Sequence, residues 1–261
     1  MENKGKKVFF FDFDGTIWFG TFGEKTVKAL NQLHNDGHTL VYNSGRSRGN
    51  ARFDKLIQIP FDYFLHGGAL AESASGEQIY RQDIPQGVID LVIKTEKEFD
   101  LFIIYEGVKA VYERKGISEK THSTVLDDVS ILSDTKTYPI TKFSILKKVG
   151  ENGEFLPLPQ EALNKLRPYF DVVDLGSYAE CMQKGTGKDF IIKKVVEKLN
   201  IDLKDTYAFG DSLNDLPMFE ICAKAIAIGH SPNELKALAT YVTKEEENGV
   251  WEALKALGFI D

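Results

Sequence analysis

Val8-Phe9-Phe10-Phe11-Asp12-Phe13-Asp14-Gly15-Thr16 begins with four apolar residues in succession and no polar alternation. That pattern describes a strand buried on both faces, as in a parallel sheet. The apolar run stops at Asp12, so both carboxylates, Asp12 and Asp14, emerge at the carboxyl edge of the sheet, where open α/β folds place their ligand crevice. Asp-Gly also serves as ordinary turn chemistry, because both residues tolerate the dihedrals that turns require. A calcium loop does not fit: an EF-hand carries its glycine at the sixth loop position between helices, and Gly15 comes fourth after a strand.

Beyond this stretch, Glu24 to Asp36 sets Val27, Leu30 and Leu33 at helical spacing and ends at Gly37, a left-handed C-terminal cap. Thr39 to Tyr42 reads as a second strand delivering Asn43-Ser44-Gly45-Arg46, and Arg48 to Ile57 resumes a helical pattern. Strand, helix, strand, helix is the pattern of a right-handed parallel α/β unit. The alternation is lost from Ile84. There a helix over Gln86 to Phe99 precedes short strands such as Leu101 to Tyr105 and Lys142 to Leu146, with turn-rich connections around Gly116 and Gly150 to Pro159. A helix over Glu161 to Leu166 leads to a strand near Asp171 to Asp174. From Lys188 the parallel pattern returns: a helix to Leu199, the strand Tyr207 to Phe209, a short helix and the strand Ala225 to Ile228. The expected fold is α/β, a doubly wound parallel-sheet (Rossmann-like) core over 1–83 and 184–261 with an inserted α+β cap domain over 84–183.

Gly210-Asp211-Ser212-Leu213-Asn214-Asp215 follows the strand Tyr207 to Phe209 just as Asp12 follows the first. If the two strands are neighbours, Asp12 and Asp211 converge on a hard cation, and Mg2+ suits a few carboxylates plus waters and a substrate phosphate. The same residue types cap helices, and one residue can cap while another ligates. Ser44, with Gly45, offers a hydroxyl and backbone amides at the tip of the second strand, although a Ser-Gly pair there also makes a plain turn. Lys188 opens a helix, so its ammonium and the helix N-terminus both favour an anion. A P-loop is excluded, since no glycine stands five residues before Gly187 and Asp189 occupies the place of the required Ser or Thr.

Composition narrows the partners. With 261 residues at 43% hydrophobic, the chain can bury one large core or two smaller ones. A net charge of -7 lacks the basic surface that phosphate-backbone binding needs, which argues against nucleic acid. The two cysteines, Cys181 and Cys222, stand far apart in no metal spacing, which suits a reducing compartment. The lysine-rich start is followed by too short an apolar run for a signal or membrane span, and a cytoplasmic location is expected. His34, His38, His66, His122 and His230 form no metal spacing and read as structural or exposed.

The four pieces Asp12-Phe13-Asp14-Gly15-Thr16, Ser44, Lys188 and Gly210-Asp211 to Asp215, in this order, resemble the haloacid dehalogenase-like (HAD) superfamily of phosphotransferases. The long stretch between Ser44 and Lys188, with Lys184-Gly185-Thr186-Gly187-Lys188 and Gly67-Gly68-Ala69, is similar to the Cof-type branch with a type IIB cap. The resemblance spans essentially the whole chain. It departs where the superfamily more often has Thr for Ser44, and where the branch often has Asn for Gly67 and glycine for Asp189. The resemblance implies a Mg2+-dependent phosphatase acting on small-molecule phosphate esters, sugar phosphates first among them, with phosphorylated cofactors also open. It implies Asp12 as nucleophile and Asp14 as acid and base. Asp12, Asp14, Asp211 and Asp215 would form the metal site: the Asp12 side chain, the Asp14 backbone carbonyl and the Asp211 side chain would bind the ion, and Asp215 would orient Lys188 or a metal-bound water. Ser44, Lys188 and Asn214 would hold phosphoryl oxygens, and the cap would close over the core and read the leaving group, for which Arg46, Trp18 and Glu180 are candidates. No nucleic acid or membrane partner is expected, and the chain is expected to be a monomer or weak homodimer. Two other functions share these motifs: a sugar phosphomutase of the same superfamily, and a non-catalytic phosphometabolite-binding regulator.

Overall fold

The computed structural model describes residues 5–117 and 123–261; His122 lies outside the described residues. The chain divides into two compact units. The first comprises the residues up to Gly45, Arg52–Tyr80 and Gly187–Asp261, and the second comprises Arg46–Ala51 and Arg81–Thr186. The crossings at Tyr80/Arg81 and Thr186/Gly187 lie about three residues outside the sequence boundaries, and the short Arg46–Ala51 segment joins the second unit.

In the first unit the strands are β1 (Val8–Phe11), β2 (Thr39–Ser44), β3 (Tyr63–His66), β4 (Leu70–Ser73) and β5 (Gln78–Arg81). After the second unit come β12 (Thr206–Gly210), β13 (Lys224–Ala227) and β14 (Tyr241–Val242). Their order among the described residues is β14-β13-β12-β1-β2-β3-β4-β5. The pairings from β14 to β3 are parallel, and β3 pairs antiparallel with β4. β1 thus sits between β2 and β12, with Phe11 level with Tyr42 on one side and Phe209 on the other.

Alternation along β1 explains why its apolar run is unbroken. Phe9 and Phe11 enter a cluster with Leu30 and Leu33 of α1 (Glu24–Asn35) and Val250 and Leu254 of α8 (Gly249–Ala256). Val8 and Phe10 face the opposite layer, with Ile191 and Val195 of α5 (Lys188–Leu199), Met218 of α6 (Leu216–Ile221) and Leu235 of α7 (Asn233–Leu238). Each fully buried phenylalanine contributes about 1.5–3 kcal/mol relative to exposure. Helices on both faces of a mainly parallel sheet are the doubly wound arrangement.

The second unit has strands β6 (Phe102–Gly107), β7 (Val111–Arg114), β8 (Thr124–Leu126), β9 (Ile140–Leu146), β10 (Phe170–Asp174) and β11 (Tyr178–Gln183). Their order is β10-β11-β9-β6-β7-β8, antiparallel except for β7 with β8. One face is covered by α3 (Gln86–Phe99) and α4 (Gln160–Leu166). Ile89, Val92 and Leu166 of these helices pack on Ile103, Tyr105, Phe143 and Cys181. This α+β unit has its own core.

The helix expected over Arg48 to Ile57 does not form as one element. A 3-10 turn, Arg48–Asn50, ends at an extended Ala51, and α2 covers only Phe53–Leu56. The periodicity is broken because Arg46–Ala51 packs into the second unit, where the Ser47 N–H reaches the Glu106 carboxylate at 3.4 Å. Among the described residues, no helix is long and apolar enough to cross a membrane.

Candidate active site

Parallel pairing places the ends of β1, β2 and β12 side by side. The Asp12 N–H donates to the Phe209 carbonyl at 2.9 Å, which continues the β1–β12 ladder one residue past the strand and brings Asp12 level with the approach to Asp211. Ser44 ends β2 and is buried. The turn after β1 is tight: the Thr16, Ile17 and Trp18 N–H groups all converge on the Phe13 carbonyl. Gly15 lies at φ +82°, and a Cβ there would stand 2.5 Å from Asp211 Oδ2, so only glycine lets the turn close against that carboxylate.

Lys188 begins α5 and is buried between two carboxylates: its ammonium donates to Asp12 Oδ1 and, at 2.5 Å, to Asp215 Oδ1. The second oxygen of Asp215 accepts the N–H groups of Asp211 and Ser212 at 2.9 and 3.0 Å. Asp215 therefore caps its own turn and holds the lysine, with both oxygens engaged. The lysine is positioned from behind by glycine packing. Gly68, at φ +68° in the β3–β4 turn, lies so close to Gly187 that a Cβ would meet its backbone at 2.6 Å.

One carboxylate oxygen each from Asp12, Asp211 and Asp215 lie within 4.8 Å of one another. Three acids against one ammonium leave an excess of buried negative charge. Burial holds the Asp12 carboxyl well above its ordinary range; Lys188 opposes the push while Asp215 and Asp211 add to it. Burial and Asp215 likewise raise Asp211, against the Thr16 hydrogen bond and Lys188. For Lys188 burial works against the charge, but Asp12 and Asp215 outweigh it and hold the ammonium above the usual lysine range. An all-oxygen donor set short of positive charge is the environment a hard divalent cation fits, and Asp12 and Asp211 are the carboxylates with coordination to spare.

Of the other sequence candidates, Asp14 is exposed in the turn after β1, and Asn214 is half-buried with its Oδ1 accepting the Ser212 hydroxyl at 2.8 Å. Trp18 stacks on Phe13 at 5.8 Å and meets Phe22 edge-on at 4.8 Å, so much of its indole is packing. Gly45 closes the first-unit segment after β2. Arg46 and Glu180 belong to the second unit, where Glu180 is buried against the Lys142 ammonium. Two residues were given no role by the sequence. Thr16 donates its hydroxyl to Asp211 Oδ1 at 2.8 Å. His230, read as structural or exposed, has Nε2 3.3 Å from Asp211 Oδ2. Thr16 stood within the Asp-Gly-Thr stretch, whereas nothing near His230 in sequence announces its partner.

An acidic turn directly after β1, a lysine at the start of α5 and a second acidic turn after β12 define a hydrolase of the HAD class. A family model for haloacid dehalogenase-like hydrolases matches residues 9–254, and the chain belongs to that family. It is similar to the YkrA protein of Bacillus subtilis (strain 168), 31% identical over 97% of this chain and 98% of that protein. It is 27% identical to the HMP-PP phosphatase of Enterobacter sp. (strain 638), over 87% of this chain and 85% of the relative. The solved structure of the HAD subclass IIB sugar phosphatase BT4131 shares the fold, with a TM-score of 0.80 at 22% identity, covering 98% of this chain and all of the other.

Proposed function

We propose that this HAD-type phosphatase hydrolyses small phosphorylated metabolites, sugar phosphates foremost, through a phosphoaspartate on Asp12 with Mg2+ as cofactor. The observation that carries this reading is the Asp12–Lys188–Asp215 arrangement beside Asp211: a buried carboxylate at a strand tip, held by one ammonium in a site where acids outnumber cations. Such a site suits a phosphate ester arriving with a divalent ion.

Asp12 and Asp211, with the Asp14 carbonyl, would hold Mg2+. When bound, it would offset the charge of the nucleophile and of the phosphoryl oxygens. The Asp12 carboxylate attacks phosphorus in line, the P–O bond to the leaving group breaks, and Asp14 gives its proton to the departing alcohol. Water then attacks the phosphoaspartate while Asp14 takes a proton from it, which releases phosphate and restores Asp12. Lys188, anchored by Asp215, supplies a fixed cation for phosphoryl oxygens, with Ser44 and Asn214 as hydrogen-bonding partners. The names of the HMP-PP phosphatase relative and of the sugar phosphatase neighbour support a small metabolite as substrate. The two buried, unpaired cysteines, whose thiols burial pushes up to about 12, support a reducing, cytoplasmic setting.

The test is phosphate release over a metabolite panel, with Mg2+ and with chelator. Turnover is expected only with the metal, and Asp12→Asn is expected to lower it by about a thousandfold or more. Full turnover by Asp12→Asn would remove the covalent scheme. Conversion of a sugar 1-phosphate to its 6-phosphate faster than phosphate release would make the enzyme a mutase.

A further inference from the structure

β12 and β13 are neighbouring parallel strands, with Gly210 level with Ala227, so the turns that follow them lie together. The turn after β13 is pinned at several points. The Ile228 N–H donates to the Gly210 carbonyl at 3.1 Å, the Gly229 N–H to Thr243 Oγ1 at 3.0 Å, and the Ser231 N–H to the Ile228 carbonyl at 2.9 Å. His230 is carried on this fixed turn. Its ring meets Phe19 edge-on at 5.8 Å, which restricts its rotation, and Nε2 stands 3.3 Å from Asp211 Oδ2. On the far side Nδ1 faces Glu246 Oε2 at 3.9 Å.

Asp211 is thereby held from three sides. Thr16 donates to Oδ1 at 2.8 Å, the Gly15 backbone packs so close that a Cβ would sit 2.5 Å from Oδ2, and His230 approaches Oδ2. A carboxylate fixed in this way presents its remaining lone pairs in one orientation. Groups that hydrogen-bond to a metal ligand set its direction and tune the affinity of the site.

We infer that His230 is a positioning residue for the metal site, its Nε2–H fixing the Asp211 carboxylate in the orientation that receives a divalent cation. This rests on the Mg2+ reading above. The polar partners of its ring are the Asp211 and Glu246 carboxylates, so its effect falls on cation affinity more than on the chemical step.

The test is calorimetric titration of Mg2+ alone into the purified full chain, for the wild type, His230→Ala and His230→Gln, beside the Mg2+ dependence of phosphate release. His230→Ala is expected to weaken Mg2+ binding by about tenfold, with a smaller loss of turnover at saturating Mg2+. His230→Gln, whose amide still donates, is expected to recover most of the affinity. Equal Mg2+ affinity in the wild type and His230→Ala, with unchanged circular dichroism, would overturn the inference. So would a His230→Gln variant as weak as the alanine form. Absence of Mg2+ binding by the wild type would instead overturn the cofactor reading, and this inference with it.

Discussion

Lys188 pairs with both Asp12 and Asp215 in a buried place, and in the proposed reaction it would also receive a phosphoryl oxygen. Removing one partner of a buried pair leaves the other charges uncompensated, which costs about 3–5 kcal/mol. Lys188→Met is therefore expected to lower the stability of the metal-free protein by that order in chemical denaturation, and to abolish turnover. Lys188→Arg is expected to fold better than the methionine variant yet remain impaired, because a planar fork does not replace a point charge between two carboxylates. Unchanged denaturation midpoints for Lys188→Met would show that the lysine does not balance these acids. Asp12, Lys188 and Asp211 were legible in the sequence because each is fixed by its place directly after a strand or at the start of a helix. His230 was not, since its partner lies 19 residues away and is brought to it only by the pairing of β12 with β13.

Among the elements, those with an undivided environment were the ones the sequence described well. The Gln86 to Phe99 and Lys188 to Leu199 periodicities match α3 and α5, because each helix lays one continuous face on a single core. Arg48 to Ile57 misled because its residues answer to two different units. The hairpin formed by β3 and β4 carries no such amphipathic signal, yet its turn matters for the site. Gly68 lies there with positive φ against the backbone of Gly187, the residue just before α5. Gly68→Ala combines an unfavourable dihedral with an overpacked contact and is expected to cost about 1–3 kcal/mol. It is also expected to reduce turnover by displacing the start of α5. A melting temperature and activity equal to the wild type would refute this coupling between the hairpin and the lysine.

Over the whole molecule, a formal charge of -7 is joined by an uncompensated excess of negative charge at the site itself. Asp12 and Asp211 are both raised, so the folded metal-free chain holds protons that the unfolded chain has already released. Stability from these groups is present below the ordinary carboxylate pKa and is lost as pH rises through the raised values. Mg2+ needs the ionised carboxylates and relieves their repulsion, so its stabilising effect should grow over the same range. An ion bound there and present at a hundredfold excess over its Kd would contribute about 2.7 kcal/mol. The Mg2+-induced rise in melting temperature is expected to be about 5–10 °C at pH 7.5 and clearly smaller at pH 5. Equal rises at both pH values would mean that the bound ion does not contact these carboxylates.

The placement of β1 between β2 and β12 also governs the order in which the protein can be made. β2 follows within a few dozen residues, but β12 is synthesised roughly two hundred residues after β1. Most of the second unit, Arg81–Thr186, leaves the ribosome as one uninterrupted segment in that interval. Throughout it, the phenylalanines of Val8–Phe11 lack the neighbour that covers one edge of their strand, and unpaired strand edges of this kind are prone to aggregation. Neither Asp211 nor Lys188 can reach Asp12 until that last third arrives, so the candidate site is among the final parts of the molecule to come into being.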